Sequence, residues 1–162
     1  SARLRTILAR GLDVSPQSVH SYVLGEHGDS SVIDWSSITV GGLSLDDFCR
    51  QVKIPLTAAI RNSIEEHVRN AAYEIIRGRG ATWDGIGAAV ADLLKCIIND
   101  EHRILTVSIA AGTGAHVLAM SLPRIVGASG VIATLNPKMS AAESAALKKS
   151  GKIIQKNFSH LG

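Results

Sequence analysis

Leu24-Gly25-Glu26-His27-Gly28-Asp29-Ser30 is the stretch around which this chain is organised. Ahead of it, Val19 to Leu24 reads as a strand, so the strand is expected to end in a tight turn bracketed by Gly25 and Gly28. Glycine reaches backbone angles and close approaches that other residues cannot. A histidine held there projects from a strand end into open space, where a ligand can meet it. Imidazole is also the side chain best matched to proton transfer near neutral pH. Taken alone, His27 is most simply a turn histidine with a solvated ring; the rest of the chain decides otherwise.

Upstream, Ser1 to Arg10 reads as a helix, with Leu4, Ile7 and Leu8 at helical spacing and Gly11 as its stop. At about 100° per residue, Arg3, Ile7 and Arg10 share one face and Arg5 lies nearly opposite Arg3. Arg3 is therefore expected to lean inward. An inward arginine needs an anion, either an acidic side chain or a bound ligand. Downstream, Ser31 to Val40 reads as a second strand closed by Gly41-Gly42, and Leu45 to Val52 as a short helix.

From about Pro55 to Ile76 the pattern is an amphipathic helix. Leu56, Ile60, Ile64, Val68, Ala71 or Ala72, and Ile75 mark one face, and Arg61, Glu65, Glu66 and Arg69 the other. Pro55 suits its first turn and Gly78-Arg79-Gly80 its end. Thr82 reads as the N-cap of another helix, whose core stripe is expected to be Ile86, Ala89, Val90, Leu93 and Ile97. Strands are expected over Arg103 to Ala110, Val117 to Leu122 and Val126 to Leu135. Ser140-Ala141-Ala142-Glu143 is a capping box opening a last helix with the stripe Leu147, Ile153, Ile154 and Phe158. Segregated helices and strands imply an α+β fold. Gly112-Thr113-Gly114 lacks the rest of a phosphate loop, and Val117 stands where a third glycine belongs, so it reads as a surface turn.

Composition narrows the function. The 162 residues are 46% apolar but only 4% aromatic, enough for one domain with an aliphatic core. A net charge of +3, from 17 basic and 14 acidic residues, gives no large basic patch for nucleic acid. No apolar run is long enough to span a membrane. Cys49 and Cys96 stand apart without metal-binding spacing, which fits a reducing, cytoplasmic compartment and no metal. With Ser1 first and no targeting segment, the chain is expected to be a piece of a longer one, cut at a domain boundary.

Ser1-Ala2-Arg3, Gly25-Glu26-His27-Gly28-Asp29-Ser30, Trp35-Ser36-Ser37 and Gly80-Ala81-Thr82, taken as an ordered set, resemble the L-lactate/malate dehydrogenase family. The resemblance runs from Arg3 to the last helix and is strongest to the C-terminal, substrate-binding domain of the L-lactate members. It implies an α+β domain over residues 1–162, an antiparallel sheet packed with long helices, with an N-terminal NAD-binding Rossmann domain lying outside this chain. It implies that Arg3 holds the substrate carboxylate and that His27 exchanges the proton as pyruvate and L-lactate interconvert. Thr82 would line the substrate pocket and Ile86 would pack against the nicotinamide of NAD. Arg5 and His20 match a pair that forms an anion site between subunits, which in some members takes fructose 1,6-bisphosphate. The same pair also occurs without that regulation. The family's aspartate partner for the histidine falls just before Ser1, and its mobile loop with a second arginine falls in the other half. A homodimer or homotetramer is the implied assembly. A malate or other L-2-hydroxy-acid dehydrogenase is the nearest alternative. A non-catalytic interaction domain that kept the fold is a rival of another class, against which Arg3, His27 and Thr82 stand together.

Overall fold

Helix α1 (Ala2–Leu12) buries Leu4, Leu8, Ala9 and Leu12. That stripe corrects the expected orientation of the arginines: Arg3 is exposed and Arg5 is half-buried. Leucines at every fourth position bury more apolar surface than Ile7 between two arginines, and an unpaired buried guanidinium is costly. The helix runs past Gly11 and closes on Asp13, whose left-handed backbone (φ 53°) aims its N–H back at the carbonyls of Ala9 and Arg10. The computed structural model describes residues 1–80, 82–111 and 118–159. The expected turn at Gly112-Thr113-Gly114 and the first residue of the strand expected from Val117 lie outside them.

The expected strand Val19–Leu24 is two strands in two sheets. In β1 (Val19–His20), Val19 pairs with Val40; in β2 (Val23–Leu24), Val23 pairs with Ile33. Ser31–Val40 is likewise broken. After β3 (Val32–Ile33), a single 3-10 turn over Trp35–Ser37 intervenes before β4 (Thr39–Val40). The Ser37 N–H bonds the Asp34 carbonyl, the local bonding that polar residues offer in place of a ladder. β4 turns back through Gly41-Gly42 into β5 (Leu43–Ser44), giving the antiparallel order β1-β4-β5. Helix α2 (Leu45–Val52) follows, its Asp47 N–H capped by the Ser44 hydroxyl. Val19, Ile33, Ile38, Val40, Leu45 and Cys49 complete the core that α1 covers.

Two long helices come next. α3 (Ala58–Arg79) is capped by Thr57, so Pro55 precedes the cap instead of sitting in the first turn, and Gly80 ends it with φ 78°. Ile64 and Val68 pack on the core as expected. Arg61 and Glu65, expected on the solvent face, are half-buried against Trp35: the guanidinium lies 5.0 Å from the ring centroid, and the indole N–H donates to Glu65 at 2.8 Å. α4 (Trp83–Ile98) departs further from expectation. Only Cys96 is fully buried along it, while Ile86, Ala89 and Val90 of the predicted core stripe are exposed. Leu93 and Ile97 of the same stripe are half-buried, so the expected face packs at the C-terminal end of the helix and stays open over its first turns.

β6 (Arg103–Ala111) and β7 (Leu118–Gly127) pair antiparallel from Arg103↔Val126 to Ala111↔Leu118. The strand expected over Val126–Leu135 is instead the end of β7 and a separate β8 (Gly130–Thr134), joined at Gly127↔Gly130. Asp100 accepts the Ala128 N–H in that hairpin at 2.7 Å. All three sheets are antiparallel, with helices packed on them, as the α+β reading requires. No helix among the described residues is long and apolar enough to cross a membrane.

α5 (Ala141–Ser159) starts at the predicted capping box. The Ser140 N–H donates to Glu143 at 2.7 Å, and the Glu143 N–H donates to the Ser140 hydroxyl at 3.3 Å. Glu143 also accepts the Ser36 N–H at 3.0 Å and the Ser36 hydroxyl, which ties α5 to the turn after β3. Burial pushes the Glu143 carboxyl up, but the bonds from Ser36 and Ser140 more than offset this and leave it below its ordinary 4.5. A depressed carboxylate contributes stability above its unfolded value and loses it as pH falls through the folded one. E143Q is therefore expected to be less stable than the parent at neutral pH by about 1 kcal/mol. The gap should close as pH falls below 4.5. Urea denaturation across that range measures it; a pH-independent gap would remove the ionised carboxylate from the clasp.

Candidate functional site

The loop after β2 is held from below on two sides. Gly25 exchanges both backbone hydrogen bonds with Ser121 of β7, each at 3.0 Å. Its φ is +87°, and a Cβ there would stand 2.5 Å from the Ser150 hydroxyl of α5. Glycine is thus demanded twice, by the backbone angle and by the space. The Glu26 N–H donates to Ser150 Oγ at 2.8 Å. The Glu26 carboxylate folds over the loop and accepts both the Ser30 hydroxyl and the Ser30 N–H. His27 stands exposed at the tip of this braced turn.

Two adjoining clefts meet at His27. One, of about 870 Å³, is lined by Arg3 from α1, His27, Thr82 and Ile86 from the start of α4, and the end of α3 near Glu74 and Gly78. The other, of about 410 Å³, is lined by Arg3 and His27 with Asp29, Arg69, Tyr73 and Thr106. Arg3, His27, Thr82 and Ile86 are therefore brought together from distant points in the chain. Thr82 sits at the N-cap position of α4, but its hydroxyl makes no capping bond. Arg3 has no ion-pair partner among the described residues, whereas Arg61, Arg69 and Arg103 are each paired with a carboxylate.

Arg5 and His20 line neither cleft. The Arg5 charge acts on Asp92 of α4, where it helps hold that carboxyl below its usual range behind the larger effect of the Arg103 hydrogen bond. His20 is exposed on β1. Tyr73 and Arg69 were not anticipated at the site. Their signal was the i, i+4 row Glu65, Arg69, Tyr73 along α3, which reads as a solvated edge until the His27 loop is placed against it. The Tyr73 hydroxyl reaches Asp29 at 3.5 Å. Ser150 was also missed, although it falls between Leu147 and Ile154 on the α5 stripe. A third depression, between β3, α3 and α5, holds ion pairs in its lining, such as Arg61 with Asp46 at 2.6 Å and Arg69 with Glu65 at 3.3 Å. No cluster of three or more metal-ligating side chains occurs among the described residues.

The family model for the lactate/malate dehydrogenase alpha/beta C-terminal domain matches residues 1–161. The chain belongs to the lactate/malate dehydrogenase family. It is 49% identical, over its whole length, to an L-lactate dehydrogenase of Thermus aquaticus, of which it covers 53%. It is 41% identical to one from Deinococcus radiodurans, again over its whole length and 53% of that protein. A lactate dehydrogenase from a Medee basin deep-sea metagenome library superposes with a TM-score of 0.89 at 33% identity, over 98% of this chain and 51% of that one. The minor L-lactate dehydrogenase of Enterococcus mundtii gives 0.86 at 33% identity, over 97% and 51%. The chain thus spans about half the length of the relatives it matches.

In this lactate/malate dehydrogenase domain, the tight seat of Gly25 predicts an asymmetry between glycines. G25A meets both strained φ and Ser150, whereas G42A, at φ +84°, meets nothing within 4 Å. G42A should cost about 1–2 kcal/mol of backbone strain, and G25A about 1–3 kcal/mol more from overpacking. Chemical denaturation of the two variants compares them directly, and equal losses would mean that the Ser150 contact yields freely.

Proposed function

We propose that this chain is the substrate-binding and catalytic half of an NAD-dependent L-lactate dehydrogenase that interconverts pyruvate and L-lactate. The observation that carries the reading is the gathering of Arg3, His27, Thr82 and Ile86 around one cleft. The L-lactate dehydrogenases among its relatives support lactate over malate.

The chemistry of the lining fits each role. Arg3 is exposed on a helix rim and free of carboxylate partners among the described residues, so its planar fork can take a substrate carboxylate in two parallel bonds. His27 is the proton carrier. Its neutral imidazole accepts the hydroxyl proton of L-lactate; its imidazolium polarises the ketone of pyruvate and returns the proton to that oxygen. Thr82 closes the side of the pocket with a hydroxyl that its helix does not use. Ile86, with Gly85 and Ala89 beside it in the cleft lining, offers an apolar shelf that a flat nicotinamide ring fits. Such a wall excludes water from the reacting atoms. When bound, NAD supplies the hydride acceptor, and NADH the donor. The described residues bring only this shelf to the cofactor, and the reading leaves its remaining contacts to a separate NAD-binding domain.

The uncovered apolar side of α4, with Trp83 79% and Ile98 77% exposed, supports coverage by that domain and by further copies in a homodimer or homotetramer. Arg5 and His20 line neither cleft at His27, so an anion site using both, for fructose 1,6-bisphosphate, is in this reading an intersubunit one. The setting is cytoplasmic.

Two variants of the full-length protein test the assignment. R3K is expected to raise KM for pyruvate strongly, since an ammonium cannot reproduce the fork, at a cost on the order of 2–5 kcal/mol. NADH affinity should barely move, and a parental KM in R3K would make Arg3 a structural residue. For His27 the sign depends on direction. Pyruvate reduction needs imidazolium, so its kcat/KM should fall as the ring loses its proton with rising pH. Lactate oxidation needs the neutral ring, so its kcat/KM should fall as the ring gains a proton with falling pH. H27N should lose at least about 10²–10⁴-fold in turnover. Near-normal rates in H27N, or profiles sharing no titrating group, would defeat the reading and favour a non-catalytic domain.

A further inference from the structure

We propose that Ser150 of α5 is a positioning residue for the His27 loop: its hydroxyl sets where the loop backbone, and with it the imidazole, stands against the cleft. The proposal rests on the reading of His27 as proton carrier.

Ser150 is completely buried, a polar residue on the apolar stripe of α5. Its oxygen accepts the N–H of Glu26, the residue directly before His27, at 2.8 Å. It also lies 3.0 Å from Ser30 Oγ, on the far side of the loop. The direction of that second bond follows from proton count. Each hydroxyl has one hydrogen, and that of Ser30 is given to the Glu26 carboxylate. The Ser150 hydroxyl is therefore the donor to Ser30. One buried side chain thus accepts from the residue before His27 and donates to a residue after it, and the Glu26 carboxylate closes the circuit by taking the Ser30 N–H at 3.3 Å. An alanine does neither, and a thiol of similar size does both weakly. Gly25 leaves no slack: an added Cβ would stand 3.1 Å from Ser150 Cβ as well as meeting its hydroxyl. The ring of His27 makes no hydrogen bond of its own among the described residues, so its position is inherited from this backbone. Proton transfer between positioned groups is steep in distance, and a displacement of about 1 Å can cost about 10²-fold in rate.

The test uses S150A and S150C in the full-length protein, with H27N beside them. S150A leaves a void and S150C, slightly larger than serine, does not, so a loss common to both variants tracks the hydrogen bonds that both weaken and not a cavity. Both are expected to lower kcat for pyruvate reduction about tenfold or more, while KM for pyruvate stays within about twofold because Arg3 is held by α1. Amide exchange read by mass spectrometry should accelerate over residues 25–31, with the rest of the domain unchanged. Parental kcat with parental exchange of the loop overturns the proposal, whatever the melting temperature does. A fall in KM affinity equal to the fall in kcat also overturns it, in favour of general loosening. Should S150A fail to fold, S150C alone decides by the same criteria. Near-normal turnover in H27N would strike the His27 reading instead, and the exchange measurement then judges Ser150 without reference to catalysis.

Discussion

The approach of the Ser121 backbone of β7 and the Ser150 side chain of α5 to Gly25 is the constraint on which this domain depends. β2 and β3 are each only two residues long, and a ladder of that size has little stability of its own. What holds the loop after β2 is the two-way bridge from Gly25 to Ser121 of β7 and the Ser150 hydroxyl of α5 under Glu26. The bridge couples the loop to the longest sheet in the chain, and the hydroxyl couples it to the last helix. A side chain at Gly25 would push the Ser150 hydroxyl of α5 away. The exposure of His27 therefore does not mean looseness: an exposed tip stands on a fully bonded base.

The second determinant is how α1 chooses its buried face. Leu4, Leu8 and Leu12 go inward, and this turns Arg3 to the rim of the cleft that His27 also borders. A guanidinium there keeps its solvation and, among the described residues, has no carboxylate partner. Arg61, Arg69 and Arg103 are paired within the chain and serve packing and helix joining instead. The contrast follows from where each stands and not from the residue type: Arg61 and Arg69 on α3 and Arg103 at the start of β6 face carboxylates, and Arg3 on α1 does not.

α4 has two tasks that pull its composition in opposite directions. Through Cys96, whose thiol reaches the Val126 carbonyl at 3.3 Å, it anchors on β7. Its first turns present Thr82 and Ile86 to the cleft, and Trp83, Val90, Leu94 and Ile98 stay exposed. A helix that is apolar nearly all round is normally buried on all sides. The apolar periodicity picked out the face that carries Leu93 and Ile97, which are half-buried beside Cys96, but not that the same face stays open over Ile86, Ala89 and Val90.

By itself the sequence determined the helices with strong caps and the loop with its chemistry. Ser140 with Glu143, and Gly80, act through bonds to residues three or four positions away, so their effect is written locally, whereas Thr57 took the capping place expected near Pro55. The GEHGDS run, Ser1-Ala2-Arg3 and Gly80-Ala81-Thr82 pointed to Arg3, His27, Thr82 and Ile86 as candidates through a family pattern. Tertiary structure decided the rest. Val19–Leu24 and Ser31–Val40 each look like one strand because β propensity is continuous along them. Which sheet a two-residue strand joins depends on partners elsewhere, Val40 for one half of the first segment and Ile33 for the other. Arg3 and Arg5 exchanged their expected sides because the competition between two apolar stripes on α1 is settled by what the helix packs against. Ser150 could not be recognised as more than a small residue in a helix, since its hydroxyl acquires meaning only where α5 meets a loop more than a hundred residues earlier, at Glu26 and Ser30.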